Sequence, residues 1–313
     1  MTKLSGASRR AIPVGGLWLL AGLAIFWGAN WPIMKMVLNE WNIWHFRTVS
    51  LVLGSASLLL LARLLGYSLR VPAGEWTRLL FASLFNITGW HIFSAYGVSL
   101  LASGRASIIG YTMPLWVVPL SMWLLNEPMS RRKFIGLGLG SAGLLLLVGD
   151  DLVRLQQAPL GTLAMLGAAL SWSIGIVVIK RYPFSMPATV LTGWMMLLGG
   201  IPVVLGAILF GGTEFTPLSV KATFALVYVV FVAMVFCHWA FMRLVQMLPA
   251  TITGISSLTV PVVGVFSGMV MLGEKPGMAD WAALVLILCA LAVIMVPRRG
   301  AANDSAPTPA ILD

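Results

Sequence analysis

The sequence predicts an all-α membrane protein of ten transmembrane helices in two inverted five-helix repeats. Three observations predict it. Of the 313 residues, 59% are hydrophobic and only 10% charged, with a mean hydropathy of +0.95, whereas soluble domains carry about 25% charged residues. Ten apolar stretches approach the roughly 20 residues that cross a bilayer. Finally, the stretch 86–130 returns in looser form at 233–277, in one ungapped register. His91 falls on His238, Leu101 on Leu248, Thr112 on Thr259, Pro114 on Pro261, Leu125 on Leu272 and Glu127 on Glu274, each pair 147 positions apart. Shared hydrophobicity does not align a His, a Pro and a Glu together, so the chain reads as an internal duplication.

The ten apolar stretches lie near 17–38, 43–65, 77–99, 103–125, 132–149, 160–180, 187–210, 219–243, 250–272 and 279–296. Short connections make one bundle without a soluble domain. The expected organisation is a cytoplasmic segment over 1–16, a first repeat over 17–149, a connecting loop over 150–159, a second repeat over 160–297, and a disordered cytoplasmic tail over 298–313. The polar, Pro-containing composition after Arg299 is what predicts the disorder. The basic N-terminus and first apolar run outline a signal peptide, but that run is long for an h-region and no small-x-small cleavage site follows.

The net charge of +10 has no basic run longer than Arg131-Arg132-Lys133 behind it, so a membrane surface accounts for it better than nucleic acid does. With the N-terminus in the cytoplasm, 14 of the 20 Lys and Arg residues face that side, the positive-inside pattern. Both termini are then cytoplasmic. Five spans per repeat is an odd number, so the second repeat enters the membrane upside down, a transporter plan with its substrate site near the midplane. The two cysteines, Cys237 and Cys289, lie in apolar segments and imply no disulfide framework.

The first span contains WGANWPIMK (27–35), with the counterpart WSIGIVVIK at 172–180; each half closes its fourth span with Pro and then Glu; and GLGLGSAG follows at 136–143. In number, order and spacing these features resemble the drug/metabolite transporter superfamily, specifically its EamA-type members with ten helices and two EamA repeats. The resemblance covers roughly residues 17–297. It implies export of a metabolite, amino acid or drug-like compound from the plasma (inner) membrane. Where the first half has Asn30-Trp31-Pro32, the second has Gly175-Ile176-Val177.

Polar and aromatic groups within the spans are the candidate site, because polar groups in hydrocarbon are costly. Trp27, Asn30, Trp31 and Met34 share one face of the first span, lining a cavity or packing on a neighbour. Pro32 removes a backbone bond to Gly28. His91 shares a stripe with Thr88, Ser94 and Ala95, whereas His238 reads as a structural hydrogen-bonding residue. Tyr111 and Trp172 add aromatic surface, and Thr253, Ser256 and Ser257 add hydroxyls, although small and hydroxyl residues also serve close helix packing. Pro114 and Pro261, at equivalent positions, are with Pro32 the candidate kinks or hinges. Gly136 and Gly140 form a small-xxx-small pair, for which a homodimer is one use. Lys35 and Lys180 are expected to snorkel to the headgroups. Arg47 and Arg105 are placed near the outer mouth, where they snorkel or guide an anionic group. Glu127 and Glu274, at span ends, are expected to bond backbone or basic groups.

These residues point to a secondary transporter working by alternating access in the lipid bilayer, with a small-molecule substrate, no nucleic-acid partner and no cofactor or metal. A membrane-embedded enzyme is the rival class, but neither His has a carboxylate partner within its span and no nucleophile or metal-ligand motif occurs. Aromatic walls with few polar groups suit an amphipathic metabolite. No carboxylate lies near the centre of a span, so a neutral or zwitterionic substrate such as an amino acid is expected, with multidrug or cation efflux as the alternative. The same absence argues against a carboxylate proton relay and leaves His91 as the group that titrates near neutral pH.

Overall fold

The computed structural model describes residues 14–126, 128–154, 158–212, 216–241 and 250–295, with side chains placed over 18–126, 128–150, 159–212, 216–241 and 259–294. All regular secondary structure among the described residues is helical, with no strand among them. Six of their helices are long and apolar enough to cross a membrane: Ile43–Leu64, Ser103–Leu125, Arg131–Asp150, Pro159–Arg181, Ala188–Phe210 and Val220–Phe241. In hydrocarbon a backbone must satisfy its own hydrogen bonds, and a helix does so within one segment.

In chain order the rods are α1 (Val14–Leu38), α2 (Ile43–Leu64), α3 (76–100), α4 (Ser103–Leu125), α5 (Arg131–Arg154), α6 (Ala158–Arg181), α7 (Ala188–Phe210), α8 (Val220–Phe241), α9 (Ala250–Leu272) and α10 (Met278–Met295). Local chemistry sets several ends. The Asn42 side chain accepts from the His45 N–H at 2.9 Å and caps α2, and Ser219 caps α8 through the Ala222 N–H at 3.2 Å. Such caps satisfy donors that the helix leaves orphaned. Gly66, at φ +81°, ends α2 in the left-handed region that glycine enters without a Cβ clash. The helix α5 continues through Arg154, past the expected end at 149.

Two rods carry matching irregularities. Residues Leu84–Gly89 of α3 and Tyr228–Cys237 of α8 are wound as π-helix. Shifted by the repeat offset, the first falls inside the second. The π-turn is rare and concentrates at functional positions. Pro114 interrupts α4: the helix stops at Gly110, turns through Tyr111-Thr112 and restarts at Met113. Its counterpart Pro261 lies inside an uninterrupted helix, as Pro32 does in α1.

The largest interfaces fall into pairs that exchange when the halves are exchanged. The rods α1 and α9 pack together as α4 and α6 do, and α3 on α6 as α1 on α8; α2 meets α7, α4 meets α9 and α5 meets α10. Trp31, Met34, Phe46, Leu58, Ile87, Ile108, Met165 and Met196 are buried in the common core. Around it stands an apolar exterior, with Trp18, Leu64, Phe134, Leu145, Ile208, Phe210 and Val270 exposed. So extensive an apolar exterior is unsuited to water.

Basic residues near the span ends do not act as the sequence predicts. Arg105 does not guide ions at an outer mouth: it is buried, donating through Nη1 to Asp150 at 2.9 Å and through Nη2 to the Leu147 carbonyl at 2.8 Å, with Asp280 3.6 Å from Nε. It fastens α4 to α5 and α10. Lys35 does not snorkel free, because its Nζ bonds the Leu101 carbonyl.

Glu274 fulfils its expectation. Its carboxylate accepts the N–H groups of Ser103 at 2.6 Å and Gly104 at 3.0 Å, capping α4 from the loop after α9. Glu127 lies outside the described residues.

Candidate functional site

The candidate site is built outward from Trp31, the buried ring on the inner face of α1. Four aromatic rings from four helices run through the core as a chain. Trp31 meets Tyr111 of α4 edge-on at 6.4 Å between centroids and Trp90 of α3 at 6.4 Å, and Trp90 meets Trp172 of α6 at 5.0 Å. Edge and tilted contacts of this kind suit the ring quadrupoles. The backbone of α4 approaches closely because residue 110 is glycine: a Cβ there would stand 2.8 Å from the Trp31 ring. Trp27, one helical turn before Trp31, lies edge-on to His238 at 5.5 Å and donates its Nε1–H to the Ala233 carbonyl at 3.4 Å.

Beside the aromatic chain lies a polar cluster. Arg47, on the first turns of α2, is 2% exposed. Its Nε donates to the His91 carbonyl at 2.9 Å, and its Nη2 reaches the Ser94 hydroxyl at 3.0 Å and the Met34 sulfur at 2.9 Å. The guanidinium also lies 4.7 Å from the centroid of the neighbouring Phe46 ring. The expected position of Arg47 at the outer mouth is corrected: helix α2 faces α1 and α3 there, so the long side chain turns into the bundle. His91 is buried at 3% exposure, with neither ring nitrogen hydrogen-bonded. Its own carbonyl holds the Arg47 guanidinium, so the unbonded imidazole belongs to the same cluster. His238 keeps the structural role expected of it through Nδ1, 3.0 Å from the Ala233 carbonyl. The Oδ1 of Asn30, on the Trp31 side of α1, is buried without a partner.

Of the residues singled out from sequence, Trp31, Tyr111 and Trp172 join one chain of rings, with Trp27, Asn30 and His91 at its border. Thr253, Ser256 and Ser257 lie outside the described side chains. Trp90 was missed, although it sits between Trp31 and Trp172 and immediately precedes His91. Its place next to a candidate histidine was the available signal. The burial of Arg47 had none, because an arginine near a span end ordinarily snorkels.

The arrangement offers an aromatic wall, a buried guanidinium, an imidazole and an amide carbonyl. Among the described residues no group of three or more His, Cys, Asp or Glu side chains is placed to hold a metal.

A helical bundle with an apolar exterior and a polar-aromatic cluster among its central helices is the architecture of an integral membrane protein, and comparison with known proteins identifies its class. The chain belongs to the EamA-like transporter family, whose model matches residues 14–149 and 159–296. It is thus a membrane transporter of that family. Uncharacterized transporter YoaV of Bacillus subtilis (strain 168) is 24% identical over 273 residues, covering 87% of this chain and 94% of that protein. A probable amino-acid metabolite efflux pump of Salmonella typhimurium is 25% identical over 291 residues, covering 86% of this chain and 91% of that protein. A crystal structure with 20% identity superposes with a TM-score of 0.63 over 89% of this chain and 96% of that one, which shows the shared fold.

Proposed function

We propose that the chain is a secondary transporter of the plasma (inner) membrane that exports a small neutral or zwitterionic metabolite, such as an amino acid, by alternating access between two inverted five-helix repeats. The observation that carries this reading is a pair of carboxylate clamps. Glu40, before α2, accepts the N–H and hydroxyl of Ser219, after α7, at 2.7 and 2.6 Å. Glu75, after α2, accepts the N–H and hydroxyl of Ser185, before α7, at 3.1 and 2.8 Å. Exchanging the halves carries one clamp onto the other. The 22 residues of α2 lie between them, about 33 Å at the rise of an α-helix. Exchange therefore swaps the two ends of the bundle, the relation that lets one site open to either side in turn. The matched π-turns support it further.

The aromatic chain supplies apolar contact for a metabolite-sized substrate, while the few convergent polar groups orient it. No Asp or Glu among the described side chains lines the aromatic chain to hold a permanent cation, whereas Arg47 borders it. The name of the Salmonella relative favours an amino-acid-like cargo. The test is transport by purified protein in proteoliposomes loaded with single radiolabelled compounds. Movement of at least one amino-acid-like compound, impaired by Trp31→Ala, is the expected result. Robust movement of tetraalkylammonium ions with no amino acid moving would overturn the substrate class.

A further inference from the structure

We propose that Arg47 is the anchor for a substrate carboxylate, with the His91 imidazole completing the anion subsite and the Asn30 carbonyl serving the ammonium of a zwitterion. The proposal rests on the transport reading above and deepens it. Among the described residues two guanidiniums are buried, and they are treated in opposite ways. Arg105 is 8% exposed and has Asp150 and Asp280 beside it. Arg47 is 2% exposed, and its three hydrogen bonds go to a carbonyl, a hydroxyl and a thioether. None of these acceptors is an anion, and the bonds use Nε and Nη2, leaving Nη1 outside them. A charge in low dielectric is costly without a counter-charge, and a basic residue inside a membrane bundle is by default a functional group. Among the described residues the fold matches Arg105 with carboxylates and offers Arg47 none, which leaves its counter-charge to be brought by a ligand.

The neighbouring groups fit that ligand. Both ring nitrogens of His91 are buried and unbonded, and one of them carries a hydrogen in either neutral tautomer. An arginine fork and an imidazole N–H are donors suited to a carboxylate. A monoanion balances one guanidinium, whereas a phosphate dianion would bring an excess charge into the same low dielectric, so the chemistry favours carboxylate over phosphate. Asn30 presents an unbonded acceptor on the α1 face that also carries Met34, one turn on. The rings of Trp31 and Trp90 border the cluster and would receive an apolar side chain. The substrate class is therefore an amphipathic carboxylate, of which an aromatic amino acid is the simplest case.

The test compares matched ligands on the full-length protein: L-phenylalanine, 3-phenylpropionate, phenylalaninamide, phenethylamine and inorganic phosphate. It is read as the thermal shift in detergent and as transport in proteoliposomes. The two carboxylates should bind and move, with the amide and the amine at least about tenfold weaker and phosphate without effect. Arg47→Gln should lower carboxylate affinity by about 100-fold, and Arg47→Lys, which keeps the charge but not the fork, by about tenfold. If Arg47→Gln fails to fold, the wild-type ligand series decides. Equal response to acid and amide, protection by phosphate, or unchanged carboxylate transport in Arg47→Gln would overturn the anchor while leaving the transporter reading standing. Transport of none of the organic ligands would instead defeat the amino-acid reading, and the anchor with it.

Discussion

Gly28 on α1 has no room for a side chain. A Cβ there would lie 2.5 Å from the Cβ and Cγ1 of Val263 and 3.1 Å from the Val260 carbonyl, so α1 and α9 touch backbone to side chain. Gly28→Ala is expected to destabilise the protein by about 1–3 kcal/mol, the usual cost of overpacking. Gly138 on α5 has nothing within 4 Å of its notional Cβ. Gly138→Ala should hold or raise stability by up to about 1 kcal/mol through helix propensity. Thermal unfolding of both variants in one detergent checks the pair, and equal shifts would refute the packing argument. Arg105 presents the opposite case, a side chain that cannot be removed cleanly. Arg105→Gln leaves Asp150 and Asp280 facing each other's charge without their shared cation and should cost about 3 kcal/mol, the low end for breaking a buried pair. Neutralising both aspartates in the same chain should recover part of that loss. The recovery, measured as a difference in unfolding midpoint, separates lost pairing from lost packing.

At the scale of elements, the loops act as clasps and titrate as such. Burial alone would raise the Glu75 carboxyl, but the Ser185 hydroxyl and N–H and the Arg78 guanidinium, 2.7 Å away, prevail and hold it below its ordinary value of 4.5. Glu40 is held low in the same way by the Ser219 hydroxyl and N–H. A carboxylate whose pKa is depressed by folding contributes stability above its unfolded value, and that contribution disappears as the pH falls through the folded value. Thermal stability should therefore decline as the pH drops below about 4.5. Glu75→Gln should flatten that decline and lower stability near neutral pH, and unfolding midpoints taken across the acid range check both effects. Glu274 caps α4 with two charge-assisted bonds. Glu274→Gln keeps the shape but loses the charge and should cost about 1 kcal/mol, with faster labelling of a cysteine placed at the exposed Ala102. Unchanged labelling and stability would show that the cap holds nothing in place.

For the whole molecule, the basic bias of the sequence predicts cytoplasmic termini. In a variant with Cys237 and Cys289 replaced, an impermeant maleimide applied from outside should label Asp151→Cys and leave Ser305→Cys unlabelled. Labelling only at 305 would reverse the assignment. The sequence by itself determined that the chain is a bundle of membrane helices and belongs with EamA-type transporters. Hydropathy over about 20 residues is a local quantity, and an ungapped repeat of His91, Pro114 and Glu127 in His238, Pro261 and Glu274 is visible without coordinates. It also picked out Trp31, Tyr111 and Trp172, because aromatic and polar groups on apolar helices are few. Tertiary structure decided which of these residues meet, since lipid-facing and core-facing sides of a uniformly apolar helix carry no contrasting pattern. It placed Trp90 between Trp31 and Trp172, drew Arg47 inward against His91 and Ser94, and matched Arg105 with Asp150 and Asp280. The direction taken by a long basic side chain depends on what the neighbouring helices offer it, and those neighbours lie dozens of residues away in the chain.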